Sequence, residues 1–119
     1  MIRTLLKSKI HRATVTSIDV DYEGSLGIDG DLMKAADILP YEMVQVYNIS
    51  NGERFETYAI EEPPGSGTVA LKGAAARKGA RGDLIIIACY TTIDDQILEG
   101  FRPAVILVDE ANRIREDTR

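Results

Sequence analysis

Apolar and β-branched residues recur along the chain in short runs cut by Gly, Pro, Asn and Asp, a pattern that predicts strands joined by turns. In TLLKSKIHRATVTSIDVDY (4–22) the apolar parity changes between Val15 and the set Ile18, Val20 and Tyr22, which predicts a bulge or bend near Thr16–Ser17. MVQVYNIS (43–50) and ERFETYAIEE (53–62) flank Asn51–Gly52, the strongest short-range signal for a β-hairpin. TVALKG (68–73), DLIIIACYTT (83–92) and AVILVDEANRI (104–114) predict three further strands. DGDLMKAADILP (29–40) reads as a short helix capped by an Asp and ended before Pro40, and DDQILEGFRP (94–103) as a second, stopped around Gly100 and Pro103. The polar end, NRIREDTR (112–119), is expected to fray.

Six or more short strands with two short helices in 119 residues predict a mainly β, single-domain protein closed into a small barrel, because a sheet of this size must deal with its exposed edges. With 45% hydrophobic residues the chain can bury one core without metals or disulfides. Its 14 basic against 19 acidic residues, a net of −5, argue against nucleic-acid binding by a basic face while leaving room for a compact cationic pocket. The start, MIRTLLKSKIHR, is too interrupted by Lys and Arg for a signal peptide, and no run approaches a membrane span, so a soluble, cytoplasmic protein is expected. The single cysteine, Cys89, lies in LIIIACY and reads as a buried small hydrophobe.

Gly24–Ser25, in DVDYEGSLGIDGD (19–31), admits two readings: ordinary turn material, or a peptide bond whose unshielded glycine carbonyl lies within reach of the next hydroxyl. Lys9 and His11, two apart on a strand, share a face with Cα atoms roughly 6–7 Å apart. Arg54 and Tyr58 also share a parity, at about 13 Å, so that only inward-leaning side chains would converge. LKGAAARKGARGD (71–83) lets backbone N–H groups approach an anion, but it lacks the spacing of a P-loop or a dinucleotide fingerprint. With one His and one Cys there is no metal cluster of that type, and no nucleophile elbow supports a hydrolase triad.

KIHRATVT (9–16), YEGS (22–25), NGERFETYAI (51–60), KGAAAR (72–77), GDLIII (82–87) and VDEANRI (108–114), in this order, closely resemble the pyruvoyl-dependent aspartate 1-decarboxylase family, which makes β-alanine for pantothenate and coenzyme A synthesis. The resemblance runs to about Ile114. It implies a six-stranded double-psi β-barrel and a homotetramer with active sites between subunits. It also implies a proenzyme that cuts itself at Gly24–Ser25 into residues 1–24 and 25–119. Ser25 then corresponds to the residue that becomes the pyruvoyl group, which takes the amine of L-aspartate as a Schiff base; Tyr58 corresponds to the proton donor and Thr57 to the residue that supports cleavage and contacts substrate. Gly73, Ala74 and Ala75 correspond to the substrate-binding backbone, and Lys9, His11 and Arg54 to cations of the pocket. Two points stand against a simple transfer. Many family members carry Asn where this chain has Lys72, and strict alternation puts Thr57 and Tyr58 on opposite faces of one strand, to be reconciled by a bulge or by a site at a strand edge.

Overall fold

A computed structural model describes all 119 residues. Eight strands follow one another: β1 (Ile2–Thr14), β2 (Ser17–Asp19), β3 (Ser25–Asp29), β4 (Met43–Asn48), β5 (Arg54–Glu62), β6 (Val69–Lys72), β7 (Leu84–Asp94) and β8 (Ala104–Leu107). They hydrogen-bond in the order β2-β6-β3-β5-β4-β7-β1-β8, with β1/β8, β3/β5 and β2/β6 parallel and the remaining pairs antiparallel. The fold is mainly β and barrel-like, with two short strands beyond the six expected. No ladder joins the end strands β2 and β8, so the sheet does not close on itself through strand hydrogen bonds.

The core is where the strand patterns point. Ile10, Leu26, Ile28, Val44, Val46, Val69, Leu71, Ile85 and Ile87 are all 0% exposed and belong to one cluster, and Cys89 joins it as expected. Each such aliphatic side chain contributes about 1.5–3 kcal/mol by leaving water, against about 0–1 kcal/mol for an exposed ion pair. The apolar clusters therefore decide the fold.

The hairpin forms at the expected place, with Tyr47 paired to Arg54 across the turn that contains Asn51–Gly52. The parity change in β1 falls earlier than expected. Ser8 and Ile10 face inward, then Ala13 and Val15, and the register slips between Ile10 and Ala13, where Arg12 takes a left-handed φ of 65°. Ile18, Val20 and Tyr22 are exposed, so their parity carried no information about the core. Three further expectations are corrected. The last strand stops at Leu107, because Asp109–Asn112 forms a turn in which the Asp109 carboxylate accepts from the nitrogens of Ala111 and Arg113. The second helix is one 3-10 turn, Asp95–Ile97, with no buried residue to hold it. The polar tail is anchored: Val105 and Arg119 exchange two backbone hydrogen bonds, and Arg115 donates to the Leu107 carbonyl.

The helix α1 (Gly30–Ala35) starts as expected, its N-cap Asp29 accepting from the Asp31 nitrogen. Asp29 is 2% exposed and also accepts from the nitrogens of Gly65 and Gly67 at 3.0 and 2.8 Å. Burial raises its carboxyl pKa, but these three backbone donors, aided by Arg113, outweigh that and leave it below the ordinary value. Asn112, equally buried, accepts from the Thr14 nitrogen and donates to the carbonyls of Thr14 and Gly67, at 2.8–2.9 Å.

Asn112→Ala is expected to cost about 2–4 kcal/mol, because it strands buried backbone groups on two segments. A lower urea midpoint at unchanged slope is the readout. Asp29 has its carboxyl lowered by folding, so its contribution is present above the usual value of 3.8 and lost as pH falls through and below it. Stability measured between about pH 6 and about pH 3 should fall less steeply in Asp29→Asn than in the parent.

Candidate active site

Ser25 opens β3 immediately after Gly24, whose φ of +112° suits no side-chain-bearing residue. The backbone of Gly73 seals this turn from above. A Cβ on Gly73 would lie 2.4 Å from the Gly24 Cα, 2.5 Å from its nitrogen and 2.6 Å from the Tyr22 carbonyl oxygen, so main chain packs directly on main chain. Ser25 is 0% exposed and its hydroxyl has no hydrogen-bond partner. A buried unpaired hydroxyl is costly; Ser8 shares that state, and what sets Ser25 apart is the positive-φ glycine immediately before it.

Beside this turn opens a pocket of about 270 Å³, lined by Glu23, Gly24, Thr57, Tyr58, Ala74 and Ala75, with Phe55, Glu56 and Lys78 at its margins. Gly73–Lys78 is a 3-10 turn, and it sets the Ala74 nitrogen 3.9 Å from where a Gly24 Cβ would stand. Thr57 and Tyr58 both reach this pocket without a bulge. The β4/β5 register runs unbroken from Arg54 to Tyr58, while β5 pairs with β3 only from Ala59 onward. Residues before Ala59 therefore lie at a free edge, where both faces of the strand border the same space. Tyr58 is 37% exposed, and its ring centroid lies 6.4 Å from that of Tyr41.

Lys9, His11 and Arg54 do not line this pocket. Lys9 pairs with Ala88, Ala88 with Gln45 and Gln45 with Glu56, which places Lys9 on the sheet face turned away from Ile10, Ile87 and Val46. Arg54 lies across the hairpin from Tyr47 and stacks on its ring at 3.9 Å. The Tyr47 hydroxyl in turn shares a 2.8 Å hydrogen bond with that of Tyr90; burial and this bond raise the Tyr47 pKa, against a smaller opposing pull from Arg54. Neither Lys9 nor Arg54 makes an ion pair. His11 is held neutral further down the pH scale than usual, by burial first and then by the charges of Lys9, Arg12 and Arg119. Its Nδ1 is buried without a partner.

Sequence reasoning thus named the residues around the turn and left out Tyr47, Glu23 and Lys78. Tyr47 was within reach, since counting back across the Asn51–Gly52 turn sets it opposite Arg54. Glu23 and Lys78 gave no signal beyond charge next to a turn. Chemically, the arrangement sets a desolvated hydroxyl next to the carbonyl of a positive-φ glycine, with a threonine hydroxyl, a tyrosine and backbone N–H groups around the adjoining space.

The Aspartate decarboxylase family profile matches residues 1–115. The aspartate 1-decarboxylase of Syntrophobacter fumaroxidans is 60% identical over 113 residues, covering 95% of this chain and 91% of that protein. That of Syntrophus aciditrophicus is 56% identical over 115 residues, covering 97% and 99%, and that of Desulfotalea psychrophila 53% over 116 residues, covering 98% of both. A match of this depth along nearly every residue, with the positive-φ Gly24 turn at the edge of its pocket, makes the chain a member of the aspartate decarboxylase family.

Proposed function

We propose that this enzyme decarboxylates L-aspartate to β-alanine and carbon dioxide, supplying pantothenate and coenzyme A synthesis, with a pyruvoyl group made from its own Ser25. The buried, unpartnered Ser25 hydroxyl behind the positive-φ Gly24 is the observation that carries this reading. Attack of that hydroxyl on the Gly24 carbonyl gives an oxyanion for which the Thr57 hydroxyl is the proposed donor. Loss of the Ser25 nitrogen from the carbonyl carbon leaves an ester, elimination breaks the ester C–O bond and releases Gly24 as a carboxylate, and water then removes the nitrogen as ammonia to leave a ketone. The chain becomes residues 1–24 and 25–119.

The residues present suit such a group: the position is desolvated, no side chain from Gly24, Gly73, Ala74 or Ala75 fills the space beside it beyond a methyl, and Tyr58 lines the pocket that Gly24 borders. Once formed, a pyruvoyl group supplies a carbonyl that takes up the substrate amine and accepts the electron pair freed as carbon dioxide leaves. Tyr58 delivers the proton to carbon. Thr57 and the backbone at Gly73, Ala74 and Ala75 hold the substrate against Ser25.

Lys9, His11 and Arg54 complete the site across an interface in a cytoplasmic homotetramer, which accounts for two unpaired cations on an outer sheet face. Arg54 offers its planar fork to the carboxylate that is retained, because a strong cation on the departing one would stabilise the ground state.

Intact-mass spectrometry of the purified protein should give a fragment of residues 1–24 and one of residues 25–119, the latter lighter by one ammonia than a serine terminus would be. Ser25→Ala should remain one chain, and a cut Ser25→Ala protein would exclude self-cleavage. Thr57→Val should slow cutting by on the order of 10²–10³, the usual effect of losing one oxyanion donor. In fully cut protein, Tyr58→Phe should lower kcat by at least about 10² with KM little changed, whereas Arg54→Lys should chiefly raise KM for L-aspartate. β-Alanine release by Tyr58→Phe at the parent rate would move the proton delivery to another group.

A further inference from the structure

The face of the sheet that carries Ser25 holds an ion pair that the reaction above does not use. Lys72 stands directly opposite Ser25 across the antiparallel β3/β6 pair, the arrangement in which facing Cβ atoms lie about 4.5–5.5 Å apart. Its ammonium lies 2.8 Å from the Glu62 carboxylate and 4.5 Å from the centre of the Tyr22 ring, and the two paired side chains are only 18% and 17% exposed. Glu62 starts from the far end of β5, paired with Asp29 across the parallel β3/β5 ladder. It meets Lys72 by lying back across β3 at Gly27, where a Cβ would fall 2.4 Å from its Oε2 and 3.0 Å from its Cδ and Cγ. Gly27 is thus an opening that only this side chain fills. The other carboxylates on this face have partners of their own: Asp29 takes three backbone N–H groups, and Asp19, opposite Lys72 on β2, accepts from the Asp21 nitrogen.

We infer that Glu62 is a positioning residue for the Ser25 site: passing over Gly27, it pins the Lys72 ammonium against Tyr22 and cancels its charge, so that Lys72 borders Ser25 without acting as a carboxylate-binding cation. The inference rests on the decarboxylase reading and names a control on how that site treats its substrate. Aspartate brings two carboxylates, one of which must leave as neutral carbon dioxide. A free ammonium next to Ser25 would bind the substrate tightly and hold back the step that discharges it, while a free carboxylate there would repel the substrate. A paired ammonium does neither.

Single and double charge removal tests this, with rates expressed per cut chain as counted by intact mass. Glu62→Gln, which frees the ammonium, should lower both KM for L-aspartate and kcat, each roughly tenfold, the size expected for one partly screened charge at this range. Lys72→Gln, which frees the carboxylate, should raise KM roughly tenfold with kcat within about threefold. The double variant, Glu62→Gln with Lys72→Gln, should return both constants to within about threefold of the parent. Gly27→Ala, whose methyl displaces the Glu62 carboxylate, should reproduce the Glu62→Gln pattern.

Singles that leave KM and kcat unchanged, or a double variant as impaired as the product of the singles, would overturn the inference. Should a single variant stay uncut, cutting becomes the readout, and a double variant that also stays uncut overturns it. A parent that stays uncut or ignores aspartate refutes the decarboxylase reading, and the inference with it; a cut, active parent whose charge variants behave like itself refutes the inference alone.

Discussion

Two buried polar side chains, Asp29 and Asn112, meet at Gly67, and the site depends on that junction. Asp29 accepts from the Gly67 nitrogen and Asn112 donates to its carbonyl, so one residue just ahead of β6 is held from both sides. Asn112 also closes on Thr14 at the end of β1, and the Thr16 hydroxyl bonds the Val69 backbone at both its nitrogen and its carbonyl. These side-chain bonds reinforce the Thr16–Val69 backbone bond and the β2/β6 ladder that follows it, and because they are desolvated each unmade bond is expensive. The junction fixes the entry of β6, β6 fixes Lys72 opposite Ser25, and the residue after it, Gly73, seals Gly24.

The strands were legible because their apolar runs are β-branched and bounded by turn residues, as in MVQVYNIS and LIIIACY, and the Asp29 cap was legible because its signal is local. What was not legible depended on partners far along the chain. AVILVDEANRI continues to look like a strand after Leu107 until the Asp109 turn is known. The tail looks unattached until Val105 is seen to take it up. DDQILEG carries a helical composition, but its apolar side chains find no surface to cover. At the site, residue types alone left Gly24–Ser25 open between a turn and a reactive bond, and it was the family resemblance of YEGS and NGERFETYAI that marked Gly24, Ser25, Thr57 and Tyr58. Neither was enough to show that β5 is an edge before Ala59, or that Glu62 crosses Gly27 to Lys72, since both follow from register between strands distant in sequence.

Charge is distributed economically in this acidic chain. Lys7 is paired with Glu42, Lys72 with Glu62 and Lys78 with Glu53. Lys9 and Arg54 are left without carboxylates, Arg54 resting on Tyr47. Holding a guanidinium on an aromatic face limits its rotamers while its N–H groups stay available, a suitable state for a group that has to recognise an anion. Pairing Lys7, Lys72 and Lys78 while leaving Lys9 and Arg54 open is how a protein with net charge −5 keeps two cations available on the outer face of β1 and β5.

The position of β1 in the sheet has a consequence for timing. It lies between β7 and β8, so the first strand to be made pairs with the last two. Likewise, the clamp on Gly24 comes from Gly73. A ribosome-bound chain that has reached residue 60 has neither the clamp nor the neighbours of β1, and its Gly24–Ser25 bond is an ordinary peptide in water. Reactivity at that bond is therefore postponed until the polypeptide is complete enough to grip both pieces. A break after Gly24 then frees no fragment, because residues 2–14 are already laced into the middle of the sheet. Once such a nicked molecule is unfolded, however, the covalent link that guided its first assembly is gone, and regaining the fold becomes an encounter between two molecules: the ordering of events works in one direction only.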